Sequence, residues 1–239
     1  MNKTWCKSGL AQRFVALETE KLNSCMPDLT GHYLLQYSAL NKVVIHSSTL
    51  KHSFIAGNEG LDPNNSQLQM NYEQLPFRDN CLDCIVTHHV LDFSSSPHQC
   101  LREAARVVVP NGYLAIVGFN PWSAWGISRL LPRTMVASKG KQLSRRRVVD
   151  WLTLLGFRVE QIKSALYIPP LILRYFPNFS LRIEALLNDL NLPFGGVYII
   201  IARKLVAGRT PVRPQWRPLA GRRIPVAAPS TRGARVTDR

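Results

Sequence analysis

The sequence predicts an α/β fold, built on a mostly parallel sheet of seven strands with helices on both faces. Wholly apolar segments of strand length, such as YLAIVGF at 113–119, alternate with segments whose apolar residues follow helical spacing. A strand that is apolar on both sides has to be covered on both sides, as in parallel sheets between two helix layers. Five strands form a regular strand–helix series, and two more follow near the end.

Composition restricts the class of protein. The chain has 239 residues, of which 46% are hydrophobic, so it can bury a full core. Its five cysteines are odd in number and scattered, which argues against a disulfide framework and favours a reducing compartment. We see neither the apolar core of a secretion signal nor an apolar span of transmembrane length. We therefore expect a cytoplasmic protein.

Charge and composition divide the chain into three parts. Residues 1–29 are expected to form an N-terminal helical segment, and residues 30–204 the main domain. Residues 205–239 hold eight arginines and one aspartate, and so carry +7 of the formal net charge of +15. This proline-rich tail is predicted to be disordered, and it fits a contact with nucleic acid or acidic membrane as well as a merely solubilising role. The sequence does not predict an oligomeric state.

The first part of the chain alternates apolar and polar segments. Apolar residues recur at helical spacing between Leu10 and Leu22, which predicts a helix at 9–24. Three short apolar runs predict strands, namely residues 32–37, 52–57 and 66–71. Residues 41–51 are predicted as a polar helix or loop, and turn residues follow the second strand.

The second part of the chain continues this alternation. A strand is predicted at 82–90, with His88 and His89 near its end. Ser96 as N-cap and Pro97 at the first helical position predict a helix, which Pro-Asn-Gly at 110–112 should end. The remaining predicted elements are a strand at 113–119, a helix from 145 to Gly156, a strand at 157–168, a helix at 180–190 and a strand at 197–205.

Residues 72–119 carry recognisable motifs. An acidic residue precedes a Leu-Pro-Phe turn, an aspartate enters a strand, an Arg-Glu pair lies on a helix, and a proline-glycine turn leads to the fifth strand. These features fall on Glu73, residues 75–77, Asp83, Arg102 with Glu103, and residues 110–112. With the order of elements, they resemble the Rossmann-like fold of class I S-adenosylmethionine-dependent methyltransferases. The resemblance covers residues 30–204, and NPWSAWGISRLLP at 120–132 is similar to a bacterial subgroup of methyltransferase-domain proteins.

The resemblance implies S-adenosylmethionine as the cofactor, bound at the carboxyl ends of the strands, where open α/β sheets bind ligands. The family places a glycine-rich loop after strand one, an acidic residue after strand two, and an aspartate or asparagine after strand three. These positions, with the end of strand four, imply the following cofactor-binding residues: Gln36, Tyr37, Ser38, Asn58, Glu59, Asn71, Tyr72, Thr87 and His88.

The segment after strand one departs from the family pattern. It has no glycine, and Tyr37 is bulky enough to fill part of a nucleoside site. Asn71, by contrast, occupies the position expected to face the adenine amine, and Asn58 or Glu59 would have to serve for the ribose. Two alternatives follow: a cofactor site with another backbone route, or a methyltransferase-like domain that binds the cofactor weakly or not at all.

Methyl transfer from a sulfonium mainly requires positioning, because its leaving group is neutral. A base is needed only where the acceptor must lose a proton. His88, at the end of strand four, is the candidate catalytic residue, the alternative being a structural, hydrogen-bonded histidine. Asn120 and Trp122, after strand five, are the candidate acceptor-binding residues, the alternative being that they anchor the loop.

No metal site is predicted. Cys81 and Cys84 have the spacing of a metal or redox pair, but residues three apart on a strand face opposite sides. A second pair that would complete a tetrahedral site is also missing from the sequence nearby. Inert cysteines are the better interpretation.

The leading hypothesis is an S-adenosylmethionine-dependent methyltransferase with an unidentified acceptor. The basic stretch from Arg129 to Arg147 fits an anionic acceptor such as RNA or a phosphorylated metabolite, or else a solvated face. The alternative is a catalytically inactive methyltransferase-like module that binds nucleic acid through this loop and the tail. A nucleotide-dependent oxidoreductase is a weaker hypothesis, because the glycine fingerprint of such enzymes is missing.

Overall fold

The computed structural model describes residues 9–26, 31–39, 45, 50–57, 67–123, 142–168, 187, 192 and 194–205. Several predictions fall outside these residues. They include the roles of Asn58 and Glu59, most of the segment at 41–51, the helix at 180–190 except Leu187, and the tail beyond Leu205.

Within the described residues, helices and strands alternate along the chain. In order they are α1 (Gly9–Cys25), β1 (Tyr33–Ser38), β2 (His52–Gly57), β3 (Gln67–Gln69), β4 (Leu82–His88), α2 (Val90–Phe93), α3 (Pro97–Val107), β5 (Val108–Phe119), α4 (Arg145–Leu154), β6 (Phe157–Ala165) and β7 (Val197–Lys204). Of the helices described, none combines the length and apolarity needed to cross a bilayer.

The seven strands form one sheet in the order β3-β2-β1-β4-β5-β7-β6. Strands β1 to β5 pair in parallel, whereas β7 pairs antiparallel with both β5 and β6. The predicted fold class, a mostly parallel α/β sheet, is therefore confirmed. The chain moves outward from β1 to β3 and returns to the other side of β1 with β4, so the strand order reverses between β1 and β4.

The two faces of the sheet bury separate apolar cores. On one face, Phe14 and Leu22 of α1 pack in a cluster with Val86 and other strand residues. On the other face, Leu101 of α3 and Leu152 of α4 lie in a second cluster. Each fully buried leucine contributes roughly 2 kcal/mol of transfer free energy, which is why both helix layers are stable on the sheet.

Helix α3 begins where the sequence predicts, with Ser96 as N-cap and Pro97 at its start. The Ser96 side chain makes no capping hydrogen bond. Instead, its backbone N–H donates to the carboxylate of Glu73 at 3.0 Å, so a residue from the turn after β3 fixes the approach to the helix.

The predicted boundary between α3 and β5 is wrong. The helix ends at Val107, and β5 starts at Val108 instead of after the Pro-Asn-Gly turn. Leu82 pairs with Val108 but Cys84 pairs with Tyr113, so the intervening residues bulge from the ladder, with Asn111 at φ 66°. A bulge tolerates the proline and glycine that would interrupt a regular central strand.

The end of β4 also differs from the prediction. The strand stops at His88, and His89 adopts a left-handed backbone conformation with φ 56°. The short helix α2 follows, which the apolar pattern did not reveal. Strand β3 is likewise shorter than the predicted 66–71, because it pairs with β2 through Gln67–Gln69 alone.

Asp83 fixes the start of β1. Its Oδ2 accepts backbone N–H bonds from His32 at 2.8 Å and Tyr33 at 2.9 Å. A side chain at Gly31 would collide with this carboxylate, since an added Cβ would lie 2.5 Å from Asp83 Cγ. The aspartate of the sequence motif thus aligns β1 beside β4, which sets the register at their opposite, carboxyl ends.

Candidate active site

The carboxyl ends of β1 and β4 lie side by side where the strand order reverses. Ser38 and His88 are register partners there, and the Ala39 N–H donates to the His88 carbonyl at 2.9 Å. In open α/β sheets this reversal creates the crevice in which ligands bind. The candidate site is therefore built from Ser38, His88 and the residues that contact them.

Two histidines contact one carboxylate of α1. His88 Nε2 lies 3.1 Å from Glu18 Oε2, and His89 Nε2 lies 2.9 Å from Glu18 Oε1. The other ring nitrogens are engaged as well, since His88 Nδ1 is 2.9 Å from Ser38 Oγ and His89 Nδ1 is 2.9 Å from Asp92 Oδ2. Glu18, His88 and His89 have no exposed side-chain surface, and Asp92 has 1%. We call Glu18, His88, His89 and Asp92 the buried cluster.

Burial and the neighbouring charges shift the pKa values of the groups in the buried cluster in different directions. Burial alone would raise the pKa of Glu18, but the charge of His89 and hydrogen bonds from both histidines lower it. Burial opposes a charge on His89, yet Glu18 and Asp92 outweigh it and raise its pKa to about 9. Burial lowers the pKa of His88 and raises that of Asp92. Glu18 is therefore an anion, His89 a cation and His88 neutral at pH 7.

Several contacts compensate for the left-handed backbone of His89, a conformation that costs energy for a side chain with a Cβ. The His89 N–H donates to the Val117 carbonyl at 2.9 Å, and its ring stacks on Phe119 with centroids 4.0 Å apart. Asp92 Oδ2 also accepts the Phe119 N–H at 3.0 Å. The buried cluster is thus tied to the ends of both β4 and β5.

Tyr37 is buried and belongs to the core on the α3 and α4 face. Its hydroxyl donates to the carbonyl of Met70, and its ring lies 4.0 Å from the ring of Tyr72. Burial raises the pKa of Tyr37, so the phenol stays protonated and can keep donating. The bulky residue of β1 therefore joins this strand to the turn after β3 through the core.

Gln36 and Ser38 point to the opposite face of β1 from Tyr37, because side chains alternate along a strand. The Gln36 amide pairs twice with the backbone of Ile45, donating to its carbonyl at 2.7 Å and accepting its N–H at 2.8 Å. Gln36 is buried, so these bonds satisfy a polar group inside the core. Its side chain therefore anchors part of the segment that follows β1.

Part of the chain is similar to a known protein family. Residues 30–116 match the family described as "Methyltransferase domain". This stretch of the chain therefore resembles a methyltransferase domain. An uncharacterized protein of Escherichia coli strain K12, YafS, is 33% identical over 147 residues. The aligned region spans 60% of this chain and 60% of YafS, so the relative is matched over less than two thirds of its length.

Solved structures share the fold of this chain. The S-adenosylmethionine-dependent methyltransferase of Mesorhizobium loti superposes with a TM-score of 0.54 at 11% identity, covering 82% of this chain and 100% of that one. The geranyl diphosphate C-methyltransferase of Streptomyces coelicolor, solved with S-adenosyl-L-homocysteine, gives 0.54 at 14% identity and 82% coverage of each chain. The predicted resemblance to class I methyltransferases is confirmed. These comparisons give no support to the alternative of a nucleic-acid-binding module.

Asn71 lies directly beyond β3 and is exposed. Its Oδ1 accepts the Glu73 N–H at 3.0 Å, which orients the side chain at the strand end. Thr87, in contrast, is buried, and its hydroxyl donates to the Ala115 carbonyl at 3.2 Å. Both residues stay predictions as cofactor contacts, as do Gln36, Tyr37, Ser38, Tyr72 and His88.

The two candidate acceptor residues differ in exposure. Asn120 is buried, donates to the Gly195 carbonyl at 2.9 Å and accepts the Trp122 N–H at 3.1 Å. Trp122 is 77% exposed. Asn120 thus shapes the turn after β5, and Trp122 is presented to solvent beside it.

Sequence reasoning missed Glu18 and Asp92. Glu18 occupies the apolar stripe of α1, four residues after Phe14 and four before Leu22, both fully buried. A carboxylate in the middle of such a stripe is the signal that could have identified it. Asp92 lies in α2, whose four residues are too few to show a period. The catalytic role of His88 stays a prediction, and it would require His88 to exchange a ring-nitrogen partner for the acceptor.

Proposed function

We propose that the chain is an S-adenosylmethionine-dependent methyltransferase acting on an acceptor still to be identified. The observation that carries this proposal is the strand order β3-β2-β1-β4-β5-β7-β6 with antiparallel β7, together with the methyltransferase-domain match over residues 30–116. The reversal between β1 and β4 supplies a ligand crevice at the strand ends. A cytoplasmic location belongs to the same proposal.

The described residues fit such a cofactor. The Tyr37 side chain does not project from the carboxyl end of β1, because its ring packs in the core and its hydroxyl is bonded to the Met70 carbonyl. The Ser38 hydroxyl is likewise turned to His88. Asn71 is exposed beyond β3, where its amide would meet the adenine amine. When bound, the cofactor supplies a methyl group on a sulfonium, and positioning is the main task left to the protein.

The acceptor is proposed to approach beside the turn after β5. Trp122 projects there, and an exposed indole can stack on a planar or acyl group. The start of α4 adds positive charge, since Arg146 and Arg147 are exposed. An anionic acceptor, nucleic acid included, would be attracted to this side of the chain.

Titration with S-adenosylhomocysteine by calorimetry tests the proposal. Binding to the full chain in the micromolar range is expected, and Asn71→Ala should weaken it about tenfold, as loss of one hydrogen bond worth about 1.4 kcal/mol does. Asn71→Asp keeps the acceptor oxygen and should retain binding. Asn23→Ala, which removes an exposed asparagine on α1, is the control and should change nothing. Absence of heat at millimolar ligand would refute cofactor binding.

Salt dependence tests the nucleic-acid component separately. Binding of single-stranded RNA by the full chain should weaken steeply as salt rises, because each neutralised phosphate releases counterions. A chain ending at Lys204 lacks the eight arginines of the tail and should bind more weakly. Equal affinity of the two chains would remove the tail from this role.

A further inference from the structure

Three side chains of the buried cluster present metal-binding atoms to one point. These atoms are the Nε2 nitrogens of His88 and His89 and the carboxylate oxygens of Glu18, and one from each residue lies within 4.8 Å of the others. The two carboxylate-to-nitrogen distances are 2.9 and 3.1 Å. Around an ion with bonds of about 2.1 Å, neighbouring ligand atoms are about 3.0–3.4 Å apart. Both carboxylate-to-nitrogen distances are therefore close to those between neighbouring ligand atoms of an ion.

The remaining ring nitrogens are held as in metal sites. His88 Nδ1 is bonded to Ser38 Oγ, and His89 Nδ1 is bonded to Asp92 Oδ2, each at 2.9 Å. Metal-binding histidines usually engage their second nitrogen with a carboxylate or another polar group, which fixes the tautomer and the ring orientation. Both Nε2 atoms are thereby directed at Glu18. The His89 ring lies between the carboxyl groups of Asp92 and Glu18 and contacts one with each nitrogen.

A charge count favours a cation within the cluster. His89 faces a carboxyl group with each of its ring nitrogens. Glu18 and Asp92 bring two carboxyl groups into a cluster whose side chains have at most 1% exposed surface. Uncompensated charge is costly to bury. Two neutral imidazoles, two carboxylates and one divalent ion sum to zero.

We propose that Glu18, His88 and His89 bind a divalent transition-metal ion, with Ser38 and Asp92 orienting the two histidines. Two imidazoles and one carboxylate suit Zn²⁺ and related ions, and they suit Mg²⁺ and Ca²⁺ poorly, because those ions take oxygen ligands. Glu18 comes from α1 and the histidines from the end of β4, so the ion links this helix to the sheet beside the crevice. Metal binding does not depend on methyl transfer.

Calorimetric titration of the untagged, metal-stripped full chain with zinc chloride tests the site. One equivalent of Zn²⁺ is expected to bind, and Glu18→Gln should weaken this binding by at least about tenfold, the smallest effect usual for groups around a metal. Glu20→Gln is the matched control: it makes the same change two residues away on an exposed position of α1, and it should bind as the wild type does.

Cobalt supplies a second readout that needs no variant. Co²⁺ added to the stripped wild-type chain should give visible absorption bands of a four- or five-coordinate ion with nitrogen and oxygen ligands, and Zn²⁺ should displace them. Thiolate-to-cobalt bands in the near ultraviolet would place the ion on cysteines and overturn the proposal. Absence of stoichiometric binding by the wild type, or unchanged affinity in Glu18→Gln, would also overturn it.

Discussion

Tyr37 and Tyr198 are both buried, and they differ in whether the hydroxyl has an acceptor. The Tyr37 hydroxyl donates to the Met70 carbonyl. The Tyr198 hydroxyl finds no hydrogen-bond partner among the residues that the structure describes. A phenol hydroxyl that loses its hydrogen bonds to water on folding, and gains no acceptor in the protein, lowers the stability of the folded state. Replacement of tyrosine by phenylalanine should therefore have opposite effects on the free energy of unfolding at the two positions.

Tyr37→Phe is expected to lower the free energy of unfolding by about 1–2 kcal/mol, because it leaves the buried Met70 carbonyl without its donor. Tyr198→Phe is expected to leave the free energy of unfolding unchanged or to raise it. Urea denaturation followed by circular dichroism measures both, and each variant is the control for the other since the ring is kept. Equal losses would show that the two hydroxyls have equivalent surroundings.

At the scale of elements, Arg106 joins α3 to the turn that contains Leu-Pro-Phe. Its guanidinium donates to the carbonyls of Leu75 at 3.0 Å and Phe77 at 2.9 Å. It also pairs with Glu103 at 2.8 Å and Asp79 at 2.6 Å. Glu103 in turn accepts the Leu75 N–H at 3.1 Å. The turn beyond β3, which includes Asn71 at its start, is therefore held by Arg106 and Glu103 of α3.

Arg106→Ala should lower the free energy of unfolding by about 2 kcal/mol, because several charge-assisted hydrogen bonds are lost from a partly exposed site. Arg102→Ala removes an exposed arginine from the same helix and should change stability by less than about 0.5 kcal/mol. Urea midpoints at constant slope give both values. A similar loss in the two variants would assign the effect to helix propensity or net charge.

At the scale of the whole molecule, stability should be graded across the sheet. β4 and β7 are central and almost wholly buried, whereas β3 is a three-residue strand at one edge and β6 has exposed residues at the other. Edge strands open through smaller fluctuations than central ones. Native-state hydrogen exchange should show the slowest amides in β4 and β7 and the fastest in β3. Slow exchange throughout β3 would contradict this order.

The sequence predicted this architecture because its main determinants are local. Apolar strands and amphipathic helices have periods that can be read along the chain, and so β1 to β7 were found. The bulge around Pro110 was not predicted, because only pairing with β4 keeps that segment in the sheet. Site chemistry was predicted less well: His88 was identified by its place in the strand, whereas its partner Glu18 lies 70 residues away. Contacts of that separation have no local pattern.

The separation between Glu18 and the histidines also constrains the order of folding. Glu18 precedes His88 by 70 residues, so helix α1 is synthesised before residues 88 and 89 exist to receive its carboxylate. Until then Glu18 would be an unpaired charge in the apolar stripe, which opposes burial of that stripe. Long loops also close slowly during folding. Helix α1 is therefore expected to dock only after β4 has been synthesised and has joined the sheet.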